Sequence, residues 1–411
     1  MIKDIIGRNA EAAAGQKEIK VLKEYFPQCF NADGEFNIEA FKAALPEGTT
    51  LTDETSGFNW LGKNYARMLT NMDTTTLIRP DEEHNAKPEN RDSKNIYISG
   101  DNLDALQHLV KSYGGKVKVI YIDPPYNTGS DGFVYNDRFN FTADELAKRL
   151  DVSRERAERI LSMTRRGSAS HAAWLTFMLP RLSFARNLLT DDGVIFISID
   201  DNEQANLKKL CDEVFREECF VAQFIWEKRK TRENRSSISI RHDYVLCYVK
   251  DIELLEDSLG LEIMTKAALS RYKNPDNDPK GPWTSVPAIA QAGHGTKSQF
   301  YTFVAPNGKS YNLPSGSCWR MTLEKMNEAV AQNKIWFGSD GNGVPRIKKY
   351  LSEGKQGLTP ESIISSEKGG TNDSAKREIV ELFNGKAVFE TPKPVELIRN
   401  ILSMTLGENV T

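Results

Sequence analysis

The 411-residue sequence has little that would support a metal site, a disulfide framework or a membrane span. Its five cysteines include no Cys-x-x-Cys pair, and no paired histidines accompany them, which argues against both a zinc site and structural disulfides. No apolar run approaches the roughly 20 residues that cross a bilayer, and the N-terminus lacks a signal-peptide core. We therefore expect a cytoplasmic protein without metal or membrane segment.

The chain also lacks an excess of charge of one sign, since its formal net charge is only -3. A surface that binds nucleic acid must therefore be local. The best candidate is the run 228–241, which has six basic residues and one acidic residue. It is equally consistent with a plain surface loop between two strands. As phosphate contacts it offers Lys228, Arg229, Lys230, Arg232 and Arg235.

The pattern along the chain predicts several segments, within a length that suffices for two or three domains. A strand at 95–99, a helix from 102 and a strand at 117–122 indicate parallel strands joined by helices, and hence a doubly wound α/β sheet. A charged helical insertion follows at 142–166. The predicted divisions are an N-terminal helical accessory segment with linker (1–93), a first sheet domain (94–255), a mixed, loop-rich domain (256–385) and a return to the sheet domain (386–411).

The most informative motif is the sequence Asp123-Pro124-Pro125-Tyr126, which directly follows the apolar strand 117–122. Ligands of α/β proteins bind outside the carboxyl ends of the strands, and two consecutive prolines fix a rigid turn there. Such a turn can hold a carboxylate and an aromatic ring around a flat substrate that carries an amine.

Together with neighbouring segments, this turn resembles a known family. The segments are ISGDNLDAL at 98–106, GFVYNDRF at 132–139, MLPRLSFARNLLTDDGVIFISIDDNE at 178–203 and TPKPVELI at 391–398. They are similar to the β group of adenine-N6 DNA methyltransferases, best known from the Mod subunits of Type III restriction-modification systems. The resemblance covers the chain from about residue 95 to the end. It implies a Rossmann-like methyltransferase sheet, S-adenosyl-L-methionine as cofactor, double-stranded DNA as substrate, and a target-recognition domain at 256–385.

The resemblance also implies roles for individual residues. Asp123 and the Pro124 carbonyl would accept hydrogen bonds from the adenine N6 amine, and Tyr126 would stack on an adenine flipped out of the duplex. The implied cofactor contacts are Asp101, Asn102, Lys393 and Pro394. The implied base pocket adds Asn127, Phe133 and Tyr135. Asp101 is equally suited to cap the helix that starts at residue 102.

One element of the family pattern is absent. The glycine-rich segment 337–343 superficially resembles the F-x-G-x-G loop that binds the cofactor, but it leads into Val344-Pro345, a poor start for a helix. A turn in the recognition region is the better interpretation. In the family order that loop follows the Thr391–Thr405 segment, where this sequence ends. We therefore expect a truncated or split methyltransferase whose sheet lacks central strands, or one completed by a second polypeptide.

Three functions stay open on the sequence. The leading one is a site-specific adenine-N6 DNA methyltransferase subunit of a restriction system, able to form a homodimer and to bind a restriction (Res) subunit. The second is N4-cytosine methylation, which shares the geometry, although many such enzymes have Ser in place of Asp123. The third is a non-catalytic DNA-binding or assembly fragment. The Pro-Cys nucleophile of cytosine-C5 methyltransferases is absent.

Overall fold

The structure is a computed structural model that describes residues 2–31, 33–46, 49, 57–129, 133, 141–165, 170–233, 237–262, 264–354 and 357–406. It divides into two compact units, one formed by Met1–Leu259 with Glu361–Thr405 and the other built around Gly260–Pro360. Among the helices in these ranges, none combines the length and apolar character that a membrane crossing requires.

The N-terminal region is helical. Its helices are α1 (Ile2–Glu11), α2 (Gln16–Tyr25), α3 (Ile38–Ala44), α4 (Lys63–Asn71) and α5 (Glu82–Asn85). In α4 the side chains of Tyr65, Met68 and Leu69 are buried. They share a small hydrophobic core with Leu146 and Ile160 of the predicted helical insertion. Through α4, the accessory segment therefore packs against the rest of the first unit.

The next elements build most of the sheet and its helices. The helices are α6 (Asn102–Tyr113), α7 (Ala143–Leu150), α8 (Arg154–Arg165), α9 (His171–Leu188), α10 (Gln204–Phe215) and α11 (Leu255–Ser258). The strands are β1 (Val117–Ile122), β2 (Leu189–Ile199), β3 (Phe220–Glu227) and β4 (His242–Val249). Local sequence explains several boundaries: the Asp101 side chain accepts from two backbone N–H groups at the start of α6, and Thr142 and Glu145 form a capping box on α7.

The described residues of the second unit form short strands, two α-helices and short 3-10 turns. The helices are α12 (Lys266–Leu269) and α13 (Leu323–Ala331). The strands are β5 (Trp283–Pro287), β6 (Ile289–Gln291), β7 (Phe303–Val304), β8 (Ser310–Tyr311), β9 (Ser317–Trp319), β10 (Ile335–Trp336) and β11 (Arg346–Tyr350). Strands β10, β11 and β5 form an antiparallel sheet beside two small hairpin-like pairs. The glycine-rich segment 337–343 connects β10 to β11, so it is a turn between antiparallel strands and opens no helix.

The chain then returns to the first unit. Its last elements are β12 (Ile363–Ile364), α14 (Ser366–Gly369), α15 (Asn372–Leu382) and α16 (Val395–Leu406). Because β12 pairs with β3, the compact second unit ends near residue 360, short of the predicted boundary at 385. Helix α16 buries Leu397, Ile401 and Met404 in the main core.

The main sheet has the strand order β1-β2-β4-β3-β12. Strand β1 is parallel to β2, and β12 is parallel to β3, whereas β4 runs antiparallel to both of its neighbours. Strands β1, β2 and β3 therefore end at one edge, where β4 begins. The central strand β2 has seven consecutive buried residues from Gly193 to Ile199, as expected for a strand covered on both faces. The predicted Rossmann-like α/β fold class is confirmed, with one antiparallel member.

One local prediction is wrong. The strand predicted at 95–99 does not form: Ile96 and Tyr97 are 64% and 92% exposed. A segment becomes a strand only when a neighbour pairs with its backbone hydrogen-bonding groups, and no described strand pairs with it. Strand β2 contains an irregularity at Asp191-Asp192-Gly193, because Val117 pairs with Leu189 and Val119 with Val194.

Candidate active site

Acidic side chains collect at the sheet edge where the parallel strands end. Asp123 follows β1, Asp200 and Asp201 follow β2, and Asp243 lies at the start of the antiparallel β4. The Tyr244 hydroxyl donates to Asp201 Oδ1 at 2.8 Å, which connects the ends of β2 and β4. This edge is the position at which open α/β sheets bind their ligands.

Lys393 lies against the predicted catalytic turn. Its Nζ donates to Asp123 Oδ1 at 2.8 Å and to Oδ2 at 2.7 Å, and it lies 5.0 Å from the centroid of the Tyr126 ring. The Lys393 side chain is 13% exposed and that of Asp123 is 31% exposed. Lys393 was predicted to contact the cofactor, and that role stays a prediction; in the structure its ammonium contacts the Asp123 carboxylate and the Tyr126 ring.

The buried carboxylate of Glu203 binds the residue that follows the turn. The Glu203 side chain is fully buried and accepts from Asn127 Nδ2 at 2.6 Å, from His171 Nδ1 at 2.7 Å and from Asn206 Nδ2 at 2.8 Å. Asn127 directly follows Tyr126 and has a left-handed backbone, with φ of 57°. Asparagine tolerates this conformation better than most residues, and its side-chain bond to Glu203 fixes it.

One further hydrogen bond attaches the turn to the core, and a second one fixes the strand that precedes it. Trp174 Nε1, in the first turns of α9, donates to the Pro125 carbonyl at 2.7 Å. The Tyr121 hydroxyl, on β1, forms a 2.7 Å hydrogen bond with Ser198 Oγ on β2. Trp174 and Ser198 are fully buried. The turn is therefore held rigidly before any substrate arrives, as positioning catalysis requires.

Burial and charge shift several pKa values at this edge. Burial, helped by the charge of Asp123, raises the pKa of the Tyr126 hydroxyl, so the ring carries a neutral phenol. Burial also raises the pKa of Asp243, although the positive charges of Lys228 and Lys393 oppose that shift. The Tyr126 hydroxyl oxygen and Asn127 Oδ1 are buried and have no hydrogen-bond partner within the described part of the chain. These atoms give the turn polar groups that a bound ligand can satisfy.

Comparison with known proteins identifies the family. The model of a DNA methylase family, the N6 and N4 methyltransferases, matches residues 117–410. The Mod subunit of the Type III restriction-modification enzyme EcoP15I from Escherichia coli is 36% identical, over all of this chain and 68% of its own length. The StyLTI Mod subunit from Salmonella typhimurium strain LT2 is also 36% identical, over all of this chain and 63% of its own length.

The chain belongs to the Type III Mod family of DNA methylases. It spans 68% and 63% of the length of these two relatives. Among solved structures, the cytosine-N4-specific PvuII DNA methyltransferase is 12% identical with a TM-score of 0.24, over 37% of this chain and 48% of that chain. That TM-score is too low to add to the assignment, which rests on the sheet and the sequence relatives.

The other residues that the family resemblance assigned to the cofactor lie at the start of α6. Asp101 caps the helix, with Oδ1 accepting from the backbone N–H of Leu103 at 3.0 Å and of Asp104 at 3.2 Å. Asn102 Oδ1 accepts from Arg181 Nε at 2.6 Å. Pro394 is buried beside Lys393. The assignment of these residues to a cofactor stays a prediction.

The predicted base pocket is only partly described. Phe133 is 8% exposed and packs edge-to-face on Phe177, with ring centroids 5.5 Å apart, inside the main core. Asn127 is committed to Glu203 through its Nδ2. Tyr135 lies outside the described residues. The structure therefore gives Phe133 and Asn127 structural contacts, and their contact with a flipped base stays a prediction.

The basic loop after β3 begins with an ion pair. Lys228 was predicted to contact phosphate; its side chain is 16% exposed and pairs with Asp243, because the two residues face each other where β3 ends and β4 begins, and its phosphate contact stays a prediction. Arg229 pairs with Glu233 at 3.1 Å on the surface. Lys230 and Arg232 are exposed. Arg235 lies outside the described residues, so Lys230 and Arg232 are the accessible predicted contacts.

Sequence reasoning missed the groups that support the turn. Glu203, His171, Asn206 and Trp174 were not singled out, although the segment ending at Glu203 belongs to the family resemblance. A usable signal existed for Glu203, since an acidic residue four positions beyond a buried strand lies at the ligand-binding edge of a parallel sheet. No local pattern marks His171 or Trp174, because their contacts cross 32 and 49 residues of sequence.

Proposed function

We propose that this chain is the modification subunit of a restriction system and methylates N6 of an adenine flipped out of double-stranded DNA. The observation that carries the proposal is the Asp123 carboxylate, fixed at the end of β1 beside the Tyr126 ring. A family of DNA methylases supplies the reaction class. The specific base and position are our inference from the residues of the turn.

The turn suits the chemistry of an aromatic amine. The nitrogen lone pair of adenine N6 is delocalised into the ring, so the amine is a weak nucleophile. An acceptor such as the Asp123 carboxylate would hold an N6–H and favour a pyramidal nitrogen whose lone pair is free to react. The ring of Tyr126 offers a face on which a flipped base can stack. The amine becomes acidic only as the new N–C bond forms, so Asp123 need not be a strong base beforehand.

S-adenosyl-L-methionine is the proposed methyl donor, and it would supply an electrophilic methyl group to the amine. Asp101 and Asn102 at the N-terminus of α6 are the residues of this chain that we assign to holding it. The unpartnered Tyr126 hydroxyl and Asn127 Oδ1 fit a polar ligand at the same edge. Trp174 and Glu203 would keep the turn in place during the reaction.

The charge of the second unit supports a role in DNA binding. Residues 260–360 contain 13 Lys and Arg against 7 Asp and Glu, a net charge of +6, whereas the other residues of the chain contain 41 against 50, a net charge of -9. A local positive unit in an acidic chain is the electrostatic pattern of a nucleic-acid-binding domain. We propose that this unit is the target-recognition domain.

We also propose that further polypeptide completes the sheet. Among the described strands none pairs with the edge of β1 opposite β2, and every residue of β1 is only partly buried. An open edge of this kind is a template for another strand. A second polypeptide, a second copy of this chain or a restriction subunit are the proposed partners. Calorimetry with S-adenosyl-L-methionine tests the idea, since tight binding by this chain alone would contradict it.

The central test is methylation by the chain, completed by its partner where one is needed. Methyl transfer to unmethylated plasmid DNA should be detected, and nucleoside mass spectrometry should identify N6-methyladenine. N4-methylcytosine would establish the second reaction, and no product with retained DNA binding would establish the non-catalytic function. Asp123→Ala should abolish transfer while leaving DNA affinity mostly intact, and Asp192→Ala, at an exposed carboxylate distant in sequence from the turn, is the control.

A further inference from the structure

Lys393 makes the contacts that the proposed target amine would need. Its ammonium donates to both oxygens of Asp123, at 2.8 and 2.7 Å, and lies 5.0 Å from the Tyr126 ring centroid. An adenine amine held by Asp123 and stacked on Tyr126 would use the same acceptor and the same ring face. A lysine Nζ and an exocyclic amine are both nitrogen donors of similar size.

The main chain around Lys393 is anchored, whereas its side chain can move. Pro392 and Pro394 are both buried, and the backbone N–H of Val395 donates to Glu378 Oε2 at 3.2 Å. The lysine ammonium is carried on a flexible chain of four carbons, and the side chain is 13% exposed. The ammonium can therefore leave Asp123 by rotation of its own side chain, without a change in the fold.

We propose that Lys393 occupies the target-amine site when no base is bound, and that an incoming flipped base must displace its ammonium. This inference rests on the proposed function, because it names what competes with the substrate at the same site. The lysine holds the Asp123 carboxylate in one orientation while the site waits for a base. The competing contact weakens the binding of every base at this site. Only a flipped base that the rest of the enzyme also positions well then binds tightly enough to displace the lysine.

Position and charge both favour the displacement. The Lys393 ammonium lies against both Asp123 oxygens and near the Tyr126 ring, so an amine that is held by Asp123 while its base stacks on Tyr126 would need the space that the ammonium fills. The target nitrogen also gains positive charge as it is methylated, and a fixed cation within hydrogen-bonding distance of Asp123 would oppose that charge. A lysine that stayed in place would therefore both block and disfavour the reaction.

Two substitutions of similar length should act in opposite directions. Lys393→Met removes the donor and keeps the hydrocarbon chain, so it should open Asp123 to the base. Lys393→Arg keeps the charge and adds a bidentate donor, so it should close the site further. Adenosine binding, measured by ligand-observed NMR, should tighten about five-fold in Lys393→Met and weaken in Lys393→Arg, a difference set by a competing charged hydrogen bond. Adding Tyr126→Ala to Lys393→Met should remove the gain.

Kinetics with DNA separates this inference from a cofactor role and from the proposed function. Lys393→Met should lower KM for DNA and leave KM for S-adenosyl-L-methionine unchanged. A raised KM for the cofactor, or equal adenosine binding in all three proteins at unchanged melting temperature, would overturn the inference. If no protein methylates DNA, the proposed function fails, and the adenosine measurements still decide whether Lys393 competes for the site.

Discussion

Glu203 offers a sharp test of how the catalytic turn is held. Glu203→Gln keeps the size and shape of the side chain but replaces one oxygen by an NH2 group. The carboxylate now accepts from Asn127, His171 and Asn206, each within 2.8 Å. Asn127 and His171 both donate to Oε1, whereas Asn206 donates to Oε2, so the amide keeps either the first two bonds or the third, and in both cases it loses the charge. We expect Asn127, and with it the segment after Tyr126, to be held less firmly.

The size of the effect follows from the number of bonds. A hydrogen bond to a charged group contributes about 1.5–3 kcal/mol. Loss of one such bond in this fully buried site should therefore destabilise the native conformation of the turn by about 2 kcal/mol. If that cost falls on the reactive geometry, it corresponds to about a 30-fold lower rate, since 1.36 kcal/mol is tenfold. Binding of DNA by the second unit should be unaffected, because no part of the Glu203 network belongs to that unit.

The assay is single-turnover methylation combined with NMR of the Trp174 indole. The indole N–H donates to the Pro125 carbonyl, so its resonance reports the turn even where no methylation is measured. Glu213→Gln is the matched control, since Glu213 lies on α10, the helix that begins directly after Glu203, and is partly exposed and paired with Lys63. A Glu203→Gln protein with a rate within two-fold of the parent and an unshifted indole resonance would refute the reasoning.

Three further predictions concern stability and DNA binding. Lys348→Met should lower the unfolding free energy of the second unit by about 3 kcal/mol, measured by denaturant titration, because it strips a fully buried ammonium from Asp276 and Asp278. The hydrogen bond from Lys348 lowers the pKa of Asp278 to about 2, below its unfolded value. This stabilisation is therefore complete above the unfolded pKa and disappears as the pH falls towards 2, which acid unfolding of the parent and of Lys348→Met should reveal. Arg232→Ala should weaken DNA binding and flatten its salt dependence, whereas Lys228→Ala should mainly lower the melting temperature.

Local features of the site were predictable from the sequence. The apolar run 117–122 became β1, and Asp123-Pro124-Pro125-Tyr126 follows it outside any helix or strand. Asp101 was predicted to cap α6, and its carboxylate does so with two backbone N–H groups. These outcomes depend on contacts within a few residues, where side-chain chemistry restricts the backbone directly.

The strand predicted at 95–99 was wrong for a non-local reason. Its alternation of apolar and polar residues is typical of a strand, but a strand is defined by a partner, and none of the described strands pairs with it. The segment is instead irregular and mostly exposed, with Tyr97 at 92%. Periodicity reports which face a side chain can bury, and it carries no information on whether a neighbouring strand is available.

The fate of basic side chains was equally beyond local sequence. Lys393 meets Asp123 across 270 residues, and Lys228 meets Asp243 across 15 residues and a strand turn. In both pairs the acid lies at the carboxyl edge of the sheet, where carboxylates accumulate because the strands end there. A lysine near that edge is neutralised by these acids, so it contributes less to a phosphate-binding surface than its count suggests.

The distribution of charge between the two units predicts which of them contributes most to DNA binding. The first unit is acidic overall. Two of its lysines, Lys228 and Lys393, form ion pairs with Asp243 and Asp123 at the edge where the parallel strands end. The net charge of +6 on residues 260–360 is the compensating positive field, with only Lys348 of its cations fully buried among the residues described. Most of the affinity for phosphate should therefore reside in that unit, with a smaller share from exposed cations of the first unit such as Arg232. Neutralising exposed cations of that unit should reduce the salt dependence of binding, whereas Asp123→Ala should not.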